Sequence, residues 1–156
     1  MSTTHRPTTG SLIWRLAMRW RTAVDRALAP LELTHAQYMV LTNLRGMTQA
    51  GRLPSQRELA DQTGLDTIYV SKLVRALESA GLVSRTSHPT DTRAVQLDLT
   101  PAGVDRADEA VAIVADLLRQ LTAPLGGPRS ARQRAFVDAL ETLLAAPLPE
   151  PSGDEP

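Results

Sequence analysis

The sequence predicts a mainly α-helical (α+β) protein, and three observations support this fold class. Apolar residues recur at three- and four-residue spacing along most of the chain, as they do on the buried side of amphipathic helices. Capping patterns mark where several of these helices begin. One short segment near the middle alternates between apolar and polar residues, which is typical of a half-buried strand.

The composition suits one helical domain with extensions and excludes several kinds of chemistry. Of the 156 residues, 42% are hydrophobic, which is enough for a core. There is no cysteine, which excludes disulfides, thiolate metal sites and cysteine nucleophiles. His5, His35 and His88 are too scattered to indicate a metal cluster, and we expect no cofactor. No apolar stretch approaches the roughly 18 residues of a membrane span, and no signal peptide is visible, so we expect a cytoplasmic protein.

The net charge is zero, but the charges are distributed unevenly. Residues 1–52 hold seven arginines against two acids, residues 53–93 are balanced, and the remainder holds five arginines against ten acids. Total charge therefore gives no indication of nucleic-acid binding, which has to be argued from local geometry.

The ends of the chain and the first helix have distinct patterns. Residues 1–9 are polar and predict a flexible arm, whereas residues 147–156 hold four prolines and three acids and predict a disordered tail. A helix is predicted over residues 10–30, with an apolar stripe from Leu12 to Leu28. Thr34 and Gln37 then form a capping box that starts the next helix.

The centre of the chain predicts a helix-turn-helix. Ser55 and Glu58 form a second capping box, which opens a short helix that ends before Gly64. Asp66 follows as the N-cap of a helix over 67–80, whose apolar stripe runs from Val70 to Leu77.

A β-hairpin is predicted directly after this second helix. Residues 82–86 are short and extended, residues 88–93 form a polar turn, and residues 94–99 alternate with period two. A hairpin in this position with a basic tip is a wing, so the fold is a winged helix-turn-helix. Arg93 is placed to enter a minor groove, with Asp91 orienting its guanidinium.

The exposed side of the second helix carries hydroxyl and cationic side chains, which suits a DNA major groove. A merely solvated helix face is the alternative, and the helix-turn-helix context disfavours it. The predicted DNA-contacting residues are Ser55, Gln56, Thr67, Tyr69, Ser71, Lys72, Arg75, Asp91 and Arg93.

Residues 34–103 resemble the MarR family of winged-helix transcriptional regulators. The resemblance is carried by LTHAQYMVLTNL, by LADQTGLDTIYVSKLVRALESAGLVSR and by HPTDTRAVQLDLTPAG. It implies a sequence-specific, double-stranded-DNA-binding transcriptional regulator, which we expect to be a ligand-responsive repressor. We expect no enzymatic activity, because no catalytic constellation appears in the sequence. The resemblance also implies a small aromatic or phenolic effector, for which the candidate residues by location are Trp14, Arg15, Met18, His35, Tyr38 and Met39. The alternative is that these six are core and surface residues without a role in ligand binding, and we expect His35 itself to be exposed.

The C-terminal part predicts two more helices. Thr100 caps a helix of about 22 residues, and after a break at Gly126 and Gly127, Ser130 caps the last one. The single domain is thus expected over 10–146, with its DNA-binding part at 34–100 and dimerisation helices at 10–30 and 100–146. A two-fold dimer would present two recognition helices about 34 Å apart, which predicts a palindromic operator.

Two other function classes stay open at this point. Winged helices also bind proteins, so a protein-interaction module is the main alternative. A small helical enzyme is the other, but the sequence offers no acid–base pair for it.

Overall fold

The computed structural model describes residues 6–87 and 95–147, and its elements follow the predicted order. The α-helices are α1 (Thr9–Leu28), α2 (His35–Gln49), α3 (Gln56–Thr63), α4 (Thr67–Ser79), α5 (Pro101–Thr122) and α6 (Ala131–Ala145). Strands β1 (Val83–Ser87) and β2 (Val95–Leu99) pair antiparallel, and short 3-10 turns follow α1 and α5. The mainly α-helical fold with a two-stranded wing is confirmed. The chain divides into two compact units, one up to Leu117 and one from Leu118.

Both predicted capping boxes are present. The Thr34 hydroxyl accepts from the Gln37 amide at 3.2 Å, and the Gln37 side chain accepts from the Thr34 amide at 2.9 Å. Ser55 and Glu58 make the same reciprocal pair at 3.2 and 2.8 Å. These bonds satisfy amides that have no partner inside their helices, and they fix where α2 and α3 begin.

The core of the first unit lies between α2, α4 and the wing. Val40, Leu44, Val70 and Val74 are fully buried, and Leu97 of β2 closes the core from the wing side. Apolar residues at helical spacing on α2 and α4 therefore pack the helix-turn-helix against this core.

Helix α1 is buried in its second half only. Its Thr8 cap starts it one residue before the predicted start. Val24 and Leu28 have no exposed surface, but Leu12 is 49% and Leu16 is 40% exposed. The apolar stripe predicted from the sequence is thus real, yet the first unit covers only its C-terminal part.

Helix α6, in the second unit, has no buried residue. Ser130 caps it as predicted, accepting from the Gln133 amide at 3.1 Å. The exposed apolar side chains of α6 are Val137, Leu140, Leu143 and Leu144. Among the residues that the structure describes, no helix combines the length and apolar character needed to cross a membrane.

Candidate nucleic-acid interface

The turn between α3 and α4 is built by two local devices. Gly64 adopts the left-handed conformation, with φ 69°, which lets the chain reverse after α3. One oxygen of Asp66 then accepts from the amides of Ile68 and Tyr69 at 2.9 and 3.1 Å. The predicted helix-turn-helix is confirmed, and the first turn of α4 is fixed by its cap.

Helix α4 has one buried side and one exposed side. Val70, Leu73, Val74 and Leu77 are buried against the core. Since this stripe faces inward, the opposite side of the helix faces solvent along its whole length.

The exposed side of α4 forms a shallow cleft together with the start of α3. The cleft has a volume of about 310 Å³. Its lining residues are Gln56, Thr67, Ile68, Ser71, Lys72 and Arg75. Five of the predicted DNA-contacting residues therefore converge on one surface, which holds two cations, two hydroxyls and an amide. These groups are suited to phosphates and to base edges.

Ser55 lies next to this cleft, but its hydroxyl is already engaged. It accepts from the Glu58 amide and lies 3.0 Å from the Glu58 carboxylate. The amide and hydroxyl of Ser55, which hydrogen-bond this carboxylate, lower the pKa of Glu58. Ser55 thus serves first to start α3.

Tyr69 is placed apart from the other predicted DNA-contacting residues of α4. It lines a second, larger cavity on the side of α4 that faces α1 and α2. The sequence reasoning grouped Tyr69 with Ser71 and Lys72 because all three lie outside the apolar stripe. The position of Tyr69 around the helix axis does not reveal that another helix lies on that side of α4.

The second cavity lies inside the first unit and has a volume of about 620 Å³. It is lined by Arg21, Asp25, Ala29, Glu32, Leu33, Thr34, His35, Ala36, Met39, Leu65 and Tyr69. A volume in this range, with apolar walls and a few polar groups, is typical of small-molecule sites.

His35 is half-buried in this cavity, so the expectation that it is exposed was wrong. Its ring meets Trp20 edge-on at 6.5 Å and stacks on Tyr38 at 6.3 Å between centroids. Its amide donates to Asp25 at 2.6 Å. Burial lowers the pKa of His35, partly opposed by the Asp25 carboxylate and assisted by Arg21. The contacts with Trp20, Asp25 and Arg21 come from α1, and the isolated sequence of α2 does not reveal them.

The six candidate effector residues are not brought together. His35 and Met39 line the 620 Å³ cavity, and Tyr38 stacks on His35. Trp14, Arg15 and Met18 lie in a separate shallow groove made by α1 alone.

The polar residues of the large cavity that sequence reasoning missed include Arg21 and Asp25. They form an ion pair at 3.9 Å one helical turn apart. Their spacing of four residues, next to Trp20, was the available signal.

The wing strands are paired as predicted, with Val83 opposite Leu99 and Ser87 opposite Val95. The wing is also tied to the segment before α3, since the Leu97 amide donates to the Pro54 carbonyl at 2.8 Å. Asp91 and Arg93 lie outside the described residues, so their roles remain predictions.

A helix-turn-helix whose second helix exposes cations and hydroxyls, followed by an antiparallel wing, defines the class of winged helix-turn-helix DNA-binding proteins. The MarR family model matches residues 33–95. YdcH of Bacillus subtilis, an uncharacterised HTH-type transcriptional regulator, is 32% identical over 135 residues, which are 86% of this chain and 88% of that protein. The chain belongs to the MarR family.

Solved structures agree with this assignment. A mutant MarR from E. coli in complex with operator DNA is 26% identical, with a TM-score of 0.74 over 88% of this chain and 93% of that one. BpsR of Bordetella bronchiseptica, whose DNA binding is regulated by 6-hydroxynicotinic acid, is 26% identical, with a TM-score of 0.77 over 94% of this chain and 100% of that one. The repressor CouR, bound to a 23-mer DNA duplex, is 32% identical, with a TM-score of 0.72 over 88% of this chain and 90% of that one.

The chain is therefore a DNA-binding transcriptional regulator and not an enzyme. The alternative of a protein-interaction module is not favoured by these relationships.

Proposed function

We propose that this protein is a cytoplasmic, homodimeric repressor that binds a palindromic operator and responds to a small aromatic or phenolic effector. The observation that carries the proposal is the cleft on α4, where Lys72 and Arg75 stand beside Ser71 and Thr67. Cations supply affinity for phosphates, whereas hydroxyls near the start of the helix supply hydrogen bonds to base edges.

Exposed apolar surface on the terminal helices supports the dimer. On α1, Leu12, Ile13 and Leu16 are 49%, 52% and 40% exposed, and on α6 Leu140 and Leu143 are 40% and 58% exposed. Covering a leucine fully is worth about 1.5–3 kcal/mol, so a partner subunit that covers these faces gains several kcal/mol. A two-fold axis between the subunits sets the recognition helices about one DNA turn apart.

The 620 Å³ cavity supports effector binding. Met39, Leu65 and Tyr69 offer apolar and aromatic walls, while Arg21 and His35 offer donors to a carboxylate or a phenolate. Because Arg21 lines this cavity and Arg15 lies in the separate groove on α1, we favour Arg21 over Arg15 as the partner of an anionic effector. BpsR, a relative whose DNA binding is regulated by 6-hydroxynicotinic acid, provides a chemical precedent. Tyr69 belongs to α4, so an effector here touches the recognition helix itself.

The proposal is tested by selecting duplexes from a random-sequence pool and measuring affinity for the enriched sequence across a salt series. We expect an inverted-repeat sequence, a steep salt dependence, and a mass near twice 16.9 kDa in light scattering. No enriched sequence, or affinity that ignores salt, would contradict DNA binding. A stable monomer at micromolar concentration would contradict the dimer.

A further inference from the structure

Ile68 is an exposed apolar residue in an otherwise polar part of the molecule. Its exposed fraction is 71%, the highest for a large hydrophobic side chain among the described residues of α2 to β2. The neighbouring Val70 has no exposed surface. The other strongly exposed apolar residues, such as Trp14 and Leu144, lie on the terminal helices, for which a dimer offers an explanation.

Ile68 makes no evident contribution to the fold. Most of its surface faces solvent, so it adds little to the core, and a β-branched residue favours a helix less than alanine or leucine does. A single exposed isoleucine requires no explanation by itself. Its position is what makes this one informative.

That position is the first turn of α4, inside the cleft formed with α3. The backbone amide of Ile68 donates to the Asp66 cap at 2.9 Å, which fixes the place of the residue. Ile68 is the apolar member of the cleft; the other members described are Gln56, Thr67, Ser71, Lys72 and Arg75.

The geometry points to Ile68 as a specificity-determining residue that contacts the 5-methyl group of a thymine. In the major groove the edges of the bases present hydrogen-bond donors and acceptors, and the thymine methyl is the apolar group among them. The first residues of a recognition helix lie nearest to the groove floor. A large apolar side chain here gains by covering a methyl group and loses when it faces polar atoms alone. This inference rests on the proposed binding of a specific operator.

The experiment replaces thymine by uracil, one position at a time, in a duplex selected by the parent protein from a random pool. The exchange removes one methyl group and leaves the base pair intact. We expect the parent to lose affinity about fourfold per half-site at one position, the value for one methyl-sized apolar contact. In Ile68→Ala the ratio of thymine to uracil affinity at that position should fall close to one.

Two variants make the outcome specific. Ile68→Val keeps a branched side chain and should keep most of the discrimination. Ser71→Ala removes a hydroxyl from the same cleft and should leave the thymine-to-uracil ratio unchanged. Because Ile68 is exposed, the melting temperatures of its variants should stay close to that of the parent.

Three results would overturn the inference. The first is that the parent has no uracil-sensitive position, and the second is that Ile68→Ala retains the sensitivity. The third is that the sensitivity disappears in Thr67→Ser instead, which would assign the contact to the Thr67 methyl. If the parent enriches no sequence at all, the proposed function fails first and this inference with it, so the two failures are distinguishable.

Discussion

Gly103 packs directly against the backbone carbonyl of Leu82. A Cβ atom on Gly103 would lie 1.9 Å from that oxygen, far inside contact distance. The same oxygen accepts from the Thr100 amide at 3.1 Å, and the Thr100 hydroxyl bridges the Gly81 carbonyl at 2.6 Å and the Gly103 amide at 3.0 Å. Thr100 and Gly103 together join the start of α5 to the chain that enters the wing, which explains their spacing of three.

Gly103→Ala is expected to destabilise the protein. The added methyl meets backbone rather than a flexible side chain, so α5 or the start of the wing has to shift. Overpacking of this kind costs about 1–3 kcal/mol. Denaturant unfolding of the variant and the parent measures the difference.

Gly46→Ala is the matched control for this substitution. Gly46 lies within α2, and a Cβ there meets nothing within 4 Å. Alanine is favoured over glycine inside a helix by about 0.5–1 kcal/mol, so this variant should be as stable as the parent or more stable. Equal stability of Gly103→Ala and the parent would show that the contact does not restrain the wing.

Arg75→Ala should weaken operator and random DNA together and lower the salt slope by about one unit, as expected for a lost phosphate contact. Ser71→Ala should instead lower the ratio of operator to random affinity at an unchanged slope, because a base contact carries the sequence information. Salt titrations on both duplexes separate the two. The assignment of roles within the cleft is wrong if Ser71→Ala leaves the ratio intact.

Tyr69→Ala tests the separation of the two surfaces of α4. Tyr69 lines the cavity beside His35 and Met39, whereas Ser71 lines the cleft. We therefore expect Tyr69→Ala to alter the effector concentration needed for release more than it alters the operator-to-random ratio. If Tyr69→Ala instead alters the operator-to-random ratio more than the effector concentration, Tyr69 contacts bases, as the sequence predicts.

Arg93→Ala should weaken operator binding by about 1–3 kcal/mol, the range for one specific basic contact, with little change in melting temperature. Asp91→Ala should have a smaller effect in the same direction, since Asp91 is expected only to orient the guanidinium. Fluorescence anisotropy on the selected operator measures both. Parental affinity of Arg93→Ala would refute the wing contact.

The helix-turn-helix could be predicted from the sequence because its determinants are local. Gly64 and Asp66 each act within one turn of the chain, and the capping residues Ser55 and Glu58 are three positions apart. The alternation of β2 likewise reports its own burial, with Leu97 and Leu99 inward. Such signals survive without any knowledge of neighbouring elements.

The cavity could not be predicted in the same way. Whether Arg15 or Arg21 faces it depends on where α1 crosses α2, and both are arginines on the same helix. The environment of His35 depends on Trp20, fifteen positions away in the chain. These contacts depend on how the helices pack against one another, and the hydrophobic periodicity within one helix carries no information on that packing.

Arg21→Ala should reduce the response to an aromatic acid, because it removes the guanidinium that lines the cavity. Loss of a charge-assisted hydrogen bond predicts a roughly tenfold or greater increase in the concentration needed for DNA release. The probes are hydroxybenzoic acids and 6-hydroxynicotinic acid. Arg15→Ala is the matched control, since Arg15 lies in the groove on α1 instead. Equal responses of both variants would place the effector elsewhere.

His35 should make the protein less stable as the pH falls. Burial lowers the pKa of His35 below its ordinary value of 6.5, so the unfolded chain takes up a proton more readily than the folded one. The stability contributed by the neutral imidazole is present above that ordinary value and is lost as the pH falls through it towards the lowered one.

Between about pH 7.5 and 5.5, the free energy of unfolding of the parent should drop more than that of His35→Gln. Asp25, Arg21 and Tyr38 face the ring in the parent and remain in the variant, so the difference in slope isolates the imidazole. Parallel pH profiles, or an NMR titration that places this pKa above 6.5, would contradict the burial argument.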